Sequence, residues 1–263
     1  MKRILMVSDL HCGHQFGLAH PEDCVNDVQK RAWNFFETGL RKYAPYDVVF
    51  CNGDAIDGNA SRNGGIELIT SDRLEQCDMA KKILRKIAYI GKNVPEYYFT
   101  RGTPYHTGQE EDFENVIAQA FTIEETENIG ETLLINVEGV IFDLKHKVGG
   151  GSLPHTKAAP VLREVLMAII KESIEHRVKA DVFIRSHVHS HCFIEAMRRT
   201  ALITPALEVN SAYGQRQCSG LTDFGFIVCE VERGKILRWI KWLNDTPIMP
   251  ELVVKACIVK NGK

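Results

Sequence analysis

The sequence predicts an α/β fold in which two sheets of mixed strand direction pack together. Short apolar or β-branched runs alternate with longer segments of helical period, which is the pattern of a layered α/β protein. Glycine-containing turns at Glu138-Gly139 and Glu232-Arg233-Gly234 predict antiparallel hairpins. Because these hairpins follow helices that suit crossover connections, two mixed sheets are favoured over one parallel sheet.

The strands are predicted from apolar runs that end at turn residues. They cover residues 4–7, 48–51, 97–100, 133–137, 140–144, 182–184, 224–231 and 235–243. Helices are predicted at about residues 25–42, 72–92, 112–121 and 159–178. In the last helix, apolar residues recur at three- and four-residue spacing from Val161 to Ile174, and all of them are expected in the core.

Length and composition indicate one globular unit. The 263 residues suffice for one sizeable core, and no repeat or linker divides them, so we expect a single domain over residues 1–263. The first apolar run stops at Asp9 after four residues, which is too short for a signal peptide. No run approaches the roughly 20 apolar residues that cross a bilayer, and a cytoplasmic location is expected.

Cysteine spacing and charge exclude several classes of function. The eight cysteines show no CxxC spacing, which argues against a zinc ribbon or a thioredoxin-like motif. The formal net charge of −2 gives no general attraction to nucleic acid or to acidic membranes. A nucleic-acid substrate would therefore need a local basic patch. The basic residues that could form one are Arg62, Arg73, Arg101, Lys145, Lys147 and Lys157.

Aspartate and histidine follow five of the predicted strands, at the edge where α/β sheets bind ligands. The first strand runs into Asp9 and His11, which strand alternation would place on one side. The second strand leads to Asp54 and Asp57. The remaining three strand ends supply His106, His146 and the pair His187 and His189. Carboxylates and imidazoles together suit divalent ions such as Mn²⁺, Fe²⁺, Zn²⁺ or Ni²⁺.

These blocks resemble those of the calcineurin-like metallophosphoesterases. In order they are Asp9-x-His11, Gly53-Asp54-x-x-Asp57, Gly102-Thr103-x-x-His106, His146 and His187-x-His189. The resemblance implies a four-layer α/β/β/α sandwich, with two mixed β-sheets flanked by helices and a dinuclear metal site at the C-terminal ends of the strands. It also implies a metal-dependent enzyme that hydrolyses phosphomonoesters or phosphodiesters by a metal-bound hydroxide.

The resemblance assigns metal ligands one by one. Asp9, His11 and His189 would hold the first ion, Asp54 would bridge, and His146 and His187 would hold the second. The two divalent ions are expected to be Mn²⁺, with Fe, Ni, Zn or Mg as alternatives.

Two further residues are expected to be catalytic. Asp57 would orient a ligand or its loop, and His106 would stabilise charge on the substrate phosphate or protonate the leaving oxygen. The sequence departs from the family where an Asn ligand is usual, since Thr103 stands there and two additional residues separate it from His106. Thr103 and Arg101 are therefore candidates for a metal or substrate contact. The extra histidines His14 and His191 are expected to face solvent.

Alternatives to a general phosphoesterase remain open from the sequence. A DNA or RNA nuclease of the same fold is one, and a non-catalytic scaffold that retains the fold is another. The expected partner is a phosphate-ester substrate, including a nucleotide or nucleic acid, and not a membrane. A homo-oligomer could form through the hairpin edge near the C-terminus.

Overall fold

The fold is described by a computed structural model over residues 1–59, 64–107, 112–123, 127–150, 156–176, 178–209, 222–245 and 248. Arg62, one of the basic residues singled out above, lies outside these residues. The elements in chain order are β1 (Lys2–Val7), α1 (Asp27–Tyr43), β2 (Val48–Asn52), α2 (Arg73–Gly91), β3 (Glu96–Thr100), α3 (Pro104–Thr107), α4 (Phe113–Ala118), β4 (Ile129–Gly130), β5 (Leu133–Val137), β6 (Val140–Lys147), α5 (Ala159–Glu175), β7 (Val182–Ser186), β8 (Cys192–Ala196), β9 (Arg199–Ile203), β10 (Gly225–Glu232) and β11 (Lys235–Leu243).

Both sheets are mixed, as predicted. The first has the order β11-β10-β1-β2-β3-β4, with β1 to β4 parallel and β10 and β11 added antiparallel at one edge. The second has the order β5-β6-β7-β9-β8, with β6, β7 and β9 parallel and an antiparallel strand at each edge. The parallel strands of each sheet therefore deliver their carboxyl ends to one edge of that sheet.

Buried side chains on opposite faces of one strand belong to different hydrophobic cores, which shows the layers of the fold. Ile4 and Met6 of β1 pack between the sheets, against residues such as Phe142 and Ile184 of the second sheet. Their neighbours Leu5 and Val7 point the other way, into the core formed with α1, α2 and α4. Because strand side chains alternate, a strand buried on both faces becomes a continuous apolar run.

The second sheet is covered on its outer face by α5. Phe183 and Ala201 of this sheet pack with Val161 and Val165 of the helix. The resulting order is helices, sheet, sheet, helix, which confirms the four-layer α/β/β/α sandwich with two mixed sheets flanked by helices. None of the helices within the described part of the chain combines the length and apolarity needed to cross a membrane.

The apolar stripe predicted for α5 is only partly core. Val161 and Val165 are buried, but Leu166 and Ile170 are exposed, and Ile174 keeps 73% of its surface accessible. The prediction that the whole stripe lies in the core was wrong. The reason is geometric: a single helix lying on a sheet buries one narrow face, whereas the apolar residues of α5 spread over a wider arc.

The prediction also missed short elements. β8 and β9 form a hairpin whose turn places Met197 and Arg198 at φ values of 52° and 59°. Turns of this kind favour Asn and Gly, so Met-Arg carries no turn signal. The strands β6 and β7 extend beyond their predicted ends, to Lys147 and Ser186.

Phe50 tests the core between the sheets. Its side chain is fully buried, and its ring centroid lies 5.5 Å from that of Phe142. We expect Phe50→Ala to lower the free energy of unfolding by about 3–5 kcal/mol, because the truncation leaves a cavity. Urea unfolding followed by circular dichroism measures this change.

The matched control is Leu237→Ala, since Leu237 is 51% exposed on β11. Its effect should stay within about 0.5 kcal/mol. Equal losses in the two variants would contradict a packed core between the sheets.

Candidate metal centre

The six predicted ligands lie at the carboxyl ends of strands from both sheets. Asp9 and His11 follow β1, and Asp54 follows β2. His146 lies near the end of β6, and His187 and His189 follow β7. Because β1 and β2 are parallel, and β6 and β7 are parallel, these ends come together at one edge of the sandwich.

Polar side chains beneath the ligands join the two sheets. The Asn52 amide donates to the Ser186 hydroxyl at 2.6 Å and to the Lys145 carbonyl at 3.2 Å. The Thr204 hydroxyl contacts the hydroxyls of Ser186 and Ser8 at 2.6 and 2.7 Å. Buried polar groups that satisfy one another fix the relative position of the elements that carry them. Ser186 is thus part of this link.

Five of the six ligands adopt a left-handed backbone conformation. The φ angles are 51° at Asp9, 45° at His11, 51° at Asp54, 76° at His187 and 49° at His189. Such angles are uncommon outside glycine and cluster at functional sites, where the surrounding structure holds them. Strand alternation therefore does not place these side chains, and that part of the prediction was wrong. They are placed by turns just beyond the strand ends.

Backbone hydrogen bonds hold the first two turns side by side. The Asp9 N–H donates to the Gly53 carbonyl at 2.9 Å, and the His11 N–H donates to the Asp54 carbonyl at 3.1 Å. The turn after β1 thus continues the pairing of β1 with β2. This pairing brings the carboxylate of Asp54 next to the ligands that follow β1.

The first group of ligands consists of Asp9, His11 and His189. Their donor atoms all lie within 4.8 Å of one another. The Asp9 Oδ1 atom is 3.2 Å from His189 Nε2, and the two Nε2 atoms of His11 and His189 are 3.3 Å apart. The structure therefore brings together the three residues assigned to the first ion.

The second group consists of Asp54, His146 and His187, again within 4.8 Å of one another. The Asp54 Oδ2 atom is 2.9 Å from His146 Nε2 and 3.8 Å from His187 Nδ1. The two groups adjoin, since His146 Nε2 lies 4.0 Å from Asp9 Oδ1. The bridging role of Asp54 stays a prediction, because its carboxylate lies within the second group.

The donor set fits divalent cations. Asp9 Oδ1 is buried and makes no hydrogen bond of good geometry among the residues the structure describes, although His189 Nε2 lies 3.2 Å away. A buried carboxylate oxygen without a partner carries a large desolvation cost, which a nearby cation removes. Two carboxylates and four imidazoles form a mixed oxygen and nitrogen set of the kind that binds transition metals.

The pKa values of the cluster also favour positive charge at this site. Burial opposes ionisation of Asp54, but the charges of His146 and His106, with hydrogen bonds from His146 and His187, together outweigh burial and hold the pKa of Asp54 well below its usual range. Burial likewise opposes the charged form of His146, yet Asp54 raises the pKa of His146 to about 10. For His11, Glu208 and Asp57 overcome burial and raise the pKa to about 9. These pairs stabilise positive charge within the cluster, and a metal ion would replace protons on the same nitrogens.

Three of the histidines are anchored through the ring nitrogen that faces away from the cluster. His146 Nδ1 donates to the Asn52 carbonyl at 2.7 Å. His11 Nδ1 lies 3.0 Å from Asp57 Oδ1, and His189 Nδ1 lies 3.2 Å from Glu208 Oε2. Such anchors fix the tautomer and leave Nε2 directed at the site. The position of Asp57 agrees with an orienting role.

His106 is brought back to the cluster by α3. This helical turn, in which the N–H groups of His106 and Thr107 both donate to the Thr103 carbonyl, accommodates the two additional residues. The His106 ring lies 4.6 Å from that of His11, and its Nδ1 atom is 2.7 Å from the Asp57 carbonyl. His11, Asp57 and His106 form a further group of ligand-type atoms within 4.8 Å.

Thr103 and Arg101 occupy different surroundings. The Thr103 N–H donates to Asp54 Oδ1 at 2.7 Å, and its hydroxyl lies 3.3 and 3.4 Å from the two Asp54 oxygens. Thr103 therefore binds the ligand carboxylate. Arg101 Nε donates to Asp112 Oδ2 at 2.7 Å, in an ion pair away from the six ligands. Metal or substrate contacts by these two residues stay predictions.

Sequence reasoning missed Glu208 and misplaced His14. Glu208 is buried beside His11 and His189. It belongs to none of the sequence motifs, because it lies in the apolar run Ala206-Leu207-Glu208-Val209. The expectation that His14 faces solvent was wrong. Its side chain is buried, with Nδ1 3.3 Å from Glu208 Oε1.

Glu114 was also missed. Its two carboxylate oxygens accept hydrogen bonds from the backbone N–H groups of Ala55 and Gly102, so it joins the loops that follow β2 and β3. Burial, reinforced by the charge of Asp54, raises the pKa of Glu114 to about 7. A carboxyl group on a short helix such as α4 gives no sequence signal for this position.

Comparison with known proteins gives structural neighbours only. No family model and no curated protein sequence matches the chain. Vps29 from Entamoeba histolytica complexed with Zn²⁺ matches with 15% identity, 91% coverage of this chain, 99% of that chain and a TM-score of 0.44. An archaeal phosphodiesterase matches with 13% identity, the same two coverages and the same score. A predicted phosphoesterase from Streptococcus pneumoniae TIGR4 matches with 11% identity, coverages of 95% and 94%, and a TM-score of 0.39.

Likenesses at these identities and scores carry no argument about function. The layered architecture and the order of the ligand blocks carry the family resemblance instead. The four-layer fold that the resemblance implies is confirmed, and membership of the calcineurin-like metallophosphoesterases stays a prediction.

A separate cleft of about 460 Å³ lies at the opposite end of the strands. It is lined by residues such as Val140, Asp181 and Thr200, at or next to the starts of β6, β7 and β9. None of the predicted site residues lines it. The cleft is therefore distinct from the metal centre.

Glu114 makes folding stability depend on pH. Its pKa of about 7 in the folded protein exceeds the usual value of 4.5, so the folded state binds more protons between these values and loses stability as the pH rises through them. Glu114→Gln lacks this titration. In metal-free protein, we expect the difference in unfolding free energy between wild type and Glu114→Gln to fall by about 1–3 kcal/mol from pH 5 to pH 8.

Urea unfolding at several pH values in the presence of a chelator measures this difference. Comparing the two proteins at each pH cancels the titration of groups that do not interact with Glu114. A difference that stays constant across the range would contradict the raised pKa.

Proposed function

We propose that this chain is a metal-dependent phosphoric ester hydrolase that cleaves phosphomonoesters or phosphodiesters. The observation that carries the proposal is the adjacency of two ligand groups at one edge of the sandwich. Asp9 Oδ1 stands between them, 3.2 Å from His189 Nε2 and 4.0 Å from His146 Nε2. A site for two neighbouring cations is the arrangement that phosphoryl transfer uses in many hydrolases.

Some residues of the site would balance the positive charge of the ions, and others would fix the orientation of the ligands. Two divalent ions, when bound, would supply Lewis-acid chemistry by polarising the phosphoryl group and lowering the pKa of water. Asp9 and Asp54 provide the two negative charges that offset the repulsion between cations. Asp57 keeps the His11 ring in its orientation through the 3.0 Å contact at Nδ1.

His106 is placed to act on the substrate. Since its Nδ1 atom donates to the Asp57 carbonyl, Nε2 is left for a phosphate oxygen. Only as an imidazolium, with a second proton on Nε2, would it stabilise charge on the phosphate or donate that proton to the leaving oxygen; burial lowers the pKa of His106, so the substrate's negative charge would have to favour this form. Its ring stands against that of His11, so it adjoins the first ligand group.

The completeness of the ligand set favours an enzyme over a scaffold. A protein that keeps this fold only for assembly has no need for buried carboxylates and imidazoles that converge in two adjoining groups. A nuclease is a narrower form of the same proposal. The formal net charge of −2 gives it no electrostatic support beyond the site itself.

The central test is a panel of substrates with protein reconstituted in Mn²⁺. We expect cleavage of p-nitrophenyl phosphate, of its bis ester, or of both, and Asp54→Asn should lower turnover by about 100-fold or more, because Asp54 is a ligand in the second group. Nucleotides and DNA in the same panel distinguish a nuclease. Repeating the panel with Fe, Ni, Zn and Mg tests the choice of metal.

Asp27→Asn serves as the matched control, since Asp27 lies exposed in the first turn of α1. It should leave activity unchanged. Protein that binds two ions per chain and cleaves none of the substrates would support the scaffold. Folded protein that binds no ion would refute the metal centre itself.

His106→Ala tests the acid role through the leaving group. We expect turnover of an alkyl phosphate ester to fall by about 10²-fold or more, and that of a p-nitrophenyl ester to fall less, because p-nitrophenolate leaves without protonation. Steady-state kinetics on both esters measures the difference.

Metal content, measured in parallel, should be unchanged in His106→Ala. Tyr105→Phe is the control, because it keeps the ring whose centroid lies 4.8 Å from that of His106. Unchanged turnover of both esters by His106→Ala would refute the role.

A further inference from the structure

We propose that Glu208 is a positioning residue that orients His189 and makes the Asp9, His11 and His189 group the tighter of the two metal sites. The proposal rests on the proposed function, because it concerns ions bound at the same centre. It goes beyond that function by assigning a role to a residue outside the family's motifs and by ordering the two sites.

Backbone contacts fix Glu208 against the loop that carries the first ligands. The preceding Leu207 N–H donates to the carbonyls of Ser8 and Asp9 at 3.1 and 3.2 Å. The following Val209 N–H donates to the Phe16 carbonyl at 2.9 Å. The carboxylate is therefore held beside the ligands by its own main chain, and Glu208 is buried.

The carboxylate is directed at His189. Glu208 Oε2 lies 3.2 Å from His189 Nδ1, while His189 Nε2 lies 3.2 Å from Asp9 Oδ1. With Nδ1 protonated and facing Glu208, the ring presents Nε2 to the metal position. A histidine ligand held by a carboxylate in this way is fixed in tautomer and orientation and becomes a more basic ligand.

Two other histidines lie beside Glu208, and neither accounts for its position. His11 Nε2 is 4.0 Å from Glu208 Oε2, beyond hydrogen-bond distance, and the Nδ1 atom of His11 faces Asp57. His14 Nδ1 lies 3.3 Å from Glu208 Oε1, but this nitrogen accepts a hydrogen bond from the Phe16 N–H at 3.2 Å. It therefore has no proton to offer to Glu208. The opposite nitrogen of His14 faces Glu67, at 3.6 Å. His189 is thus the ring that Glu208 orients.

The two ligand groups differ in how their histidines are supported. In the first group both histidines face a carboxylate, since His11 contacts Asp57 and His189 contacts Glu208. In the second group His146 donates to a neutral backbone carbonyl, and the His187 side chain is 34% exposed. More negative charge and more fixed ligands around the first group should hold its cation more tightly.

The test is a metal titration of the full chain and of Glu208→Gln. We expect wild-type protein to bind Mn²⁺ in two steps by calorimetry. In Glu208→Gln the tighter dissociation constant should weaken about 10- to 100-fold, while the weaker one changes by less than about 3-fold. In a titration with Co²⁺, the absorption bands that appear first report the tighter site. These bands should differ between wild type and Glu208→Gln.

Two further variants separate positioning from general stability. Glu67→Gln alters the contact to His14 and not the one to His189, and should leave both dissociation constants unchanged. Glu208→Asp keeps the charge and should recover part of the lost affinity, so it also serves if Glu208→Gln does not fold. Thermal unfolding of each variant shows that the titrations compare folded proteins.

The outcomes distinguish this inference from the proposed function. Glu208→Gln with both dissociation constants unchanged, or with only the weaker site affected, would overturn the role of Glu208 and leave the phosphoesterase intact. Wild-type protein that binds no Mn²⁺ would overturn both. Equal weakening by Glu67→Gln and Glu208→Gln would assign the effect to the shared surroundings of His14 instead of to His189.

Discussion

Two buried carboxylates, Asp9 and Asp54, set the central physical constraint on this molecule. Removing an ionised carboxylate from water is costly unless a counter-charge lies close by, and both are enclosed at the meeting point of two sheets. Four histidines converge on them, and their pKa values respond by rising at His11, His146 and His189. The site is therefore a negative cluster that folds around positive charge, whether protons or metal ions supply it.

The rest of the structure holds this cluster in place. Parallel strands bring their carboxyl ends to one edge, and Asn52, Ser186 and Thr204 join the two sheets directly below. Glu114 connects the loops after β2 and β3, and the backbone N–H of Leu207 fixes the chain after β9 to the end of β1. The loops can adopt left-handed backbone conformations because these contacts define their paths.

The sequence predicted correctly those features whose physical cause produces a pattern among residues close together in the chain. β1 and β2 are buried on both faces, which makes each an unbroken apolar run, and the residues that converge at the candidate metal centre could be predicted because Asp and His follow such runs directly. The sequence did not predict features that depend on contacts between residues far apart in the chain. Glu208 and Glu114 act through contacts with residues distant in the chain, so no spacing marks them. In α5, apolar spacing did not reveal how much of the helix surface the sheet would cover.

The left-handed conformation of the ligand residues has a consequence for how such a fold can diverge. A residue with a side chain costs about 1–3 kcal/mol in this conformation, and glycine adopts it freely. At Asp9, a change to glycine would relieve backbone strain but would leave the charge of His189 buried without its partner. Backbone strain at the ligand positions is thus offset by buried charge pairs, so an inert descendant of the same architecture would have to lose carboxylates and histidines together before it gained stability.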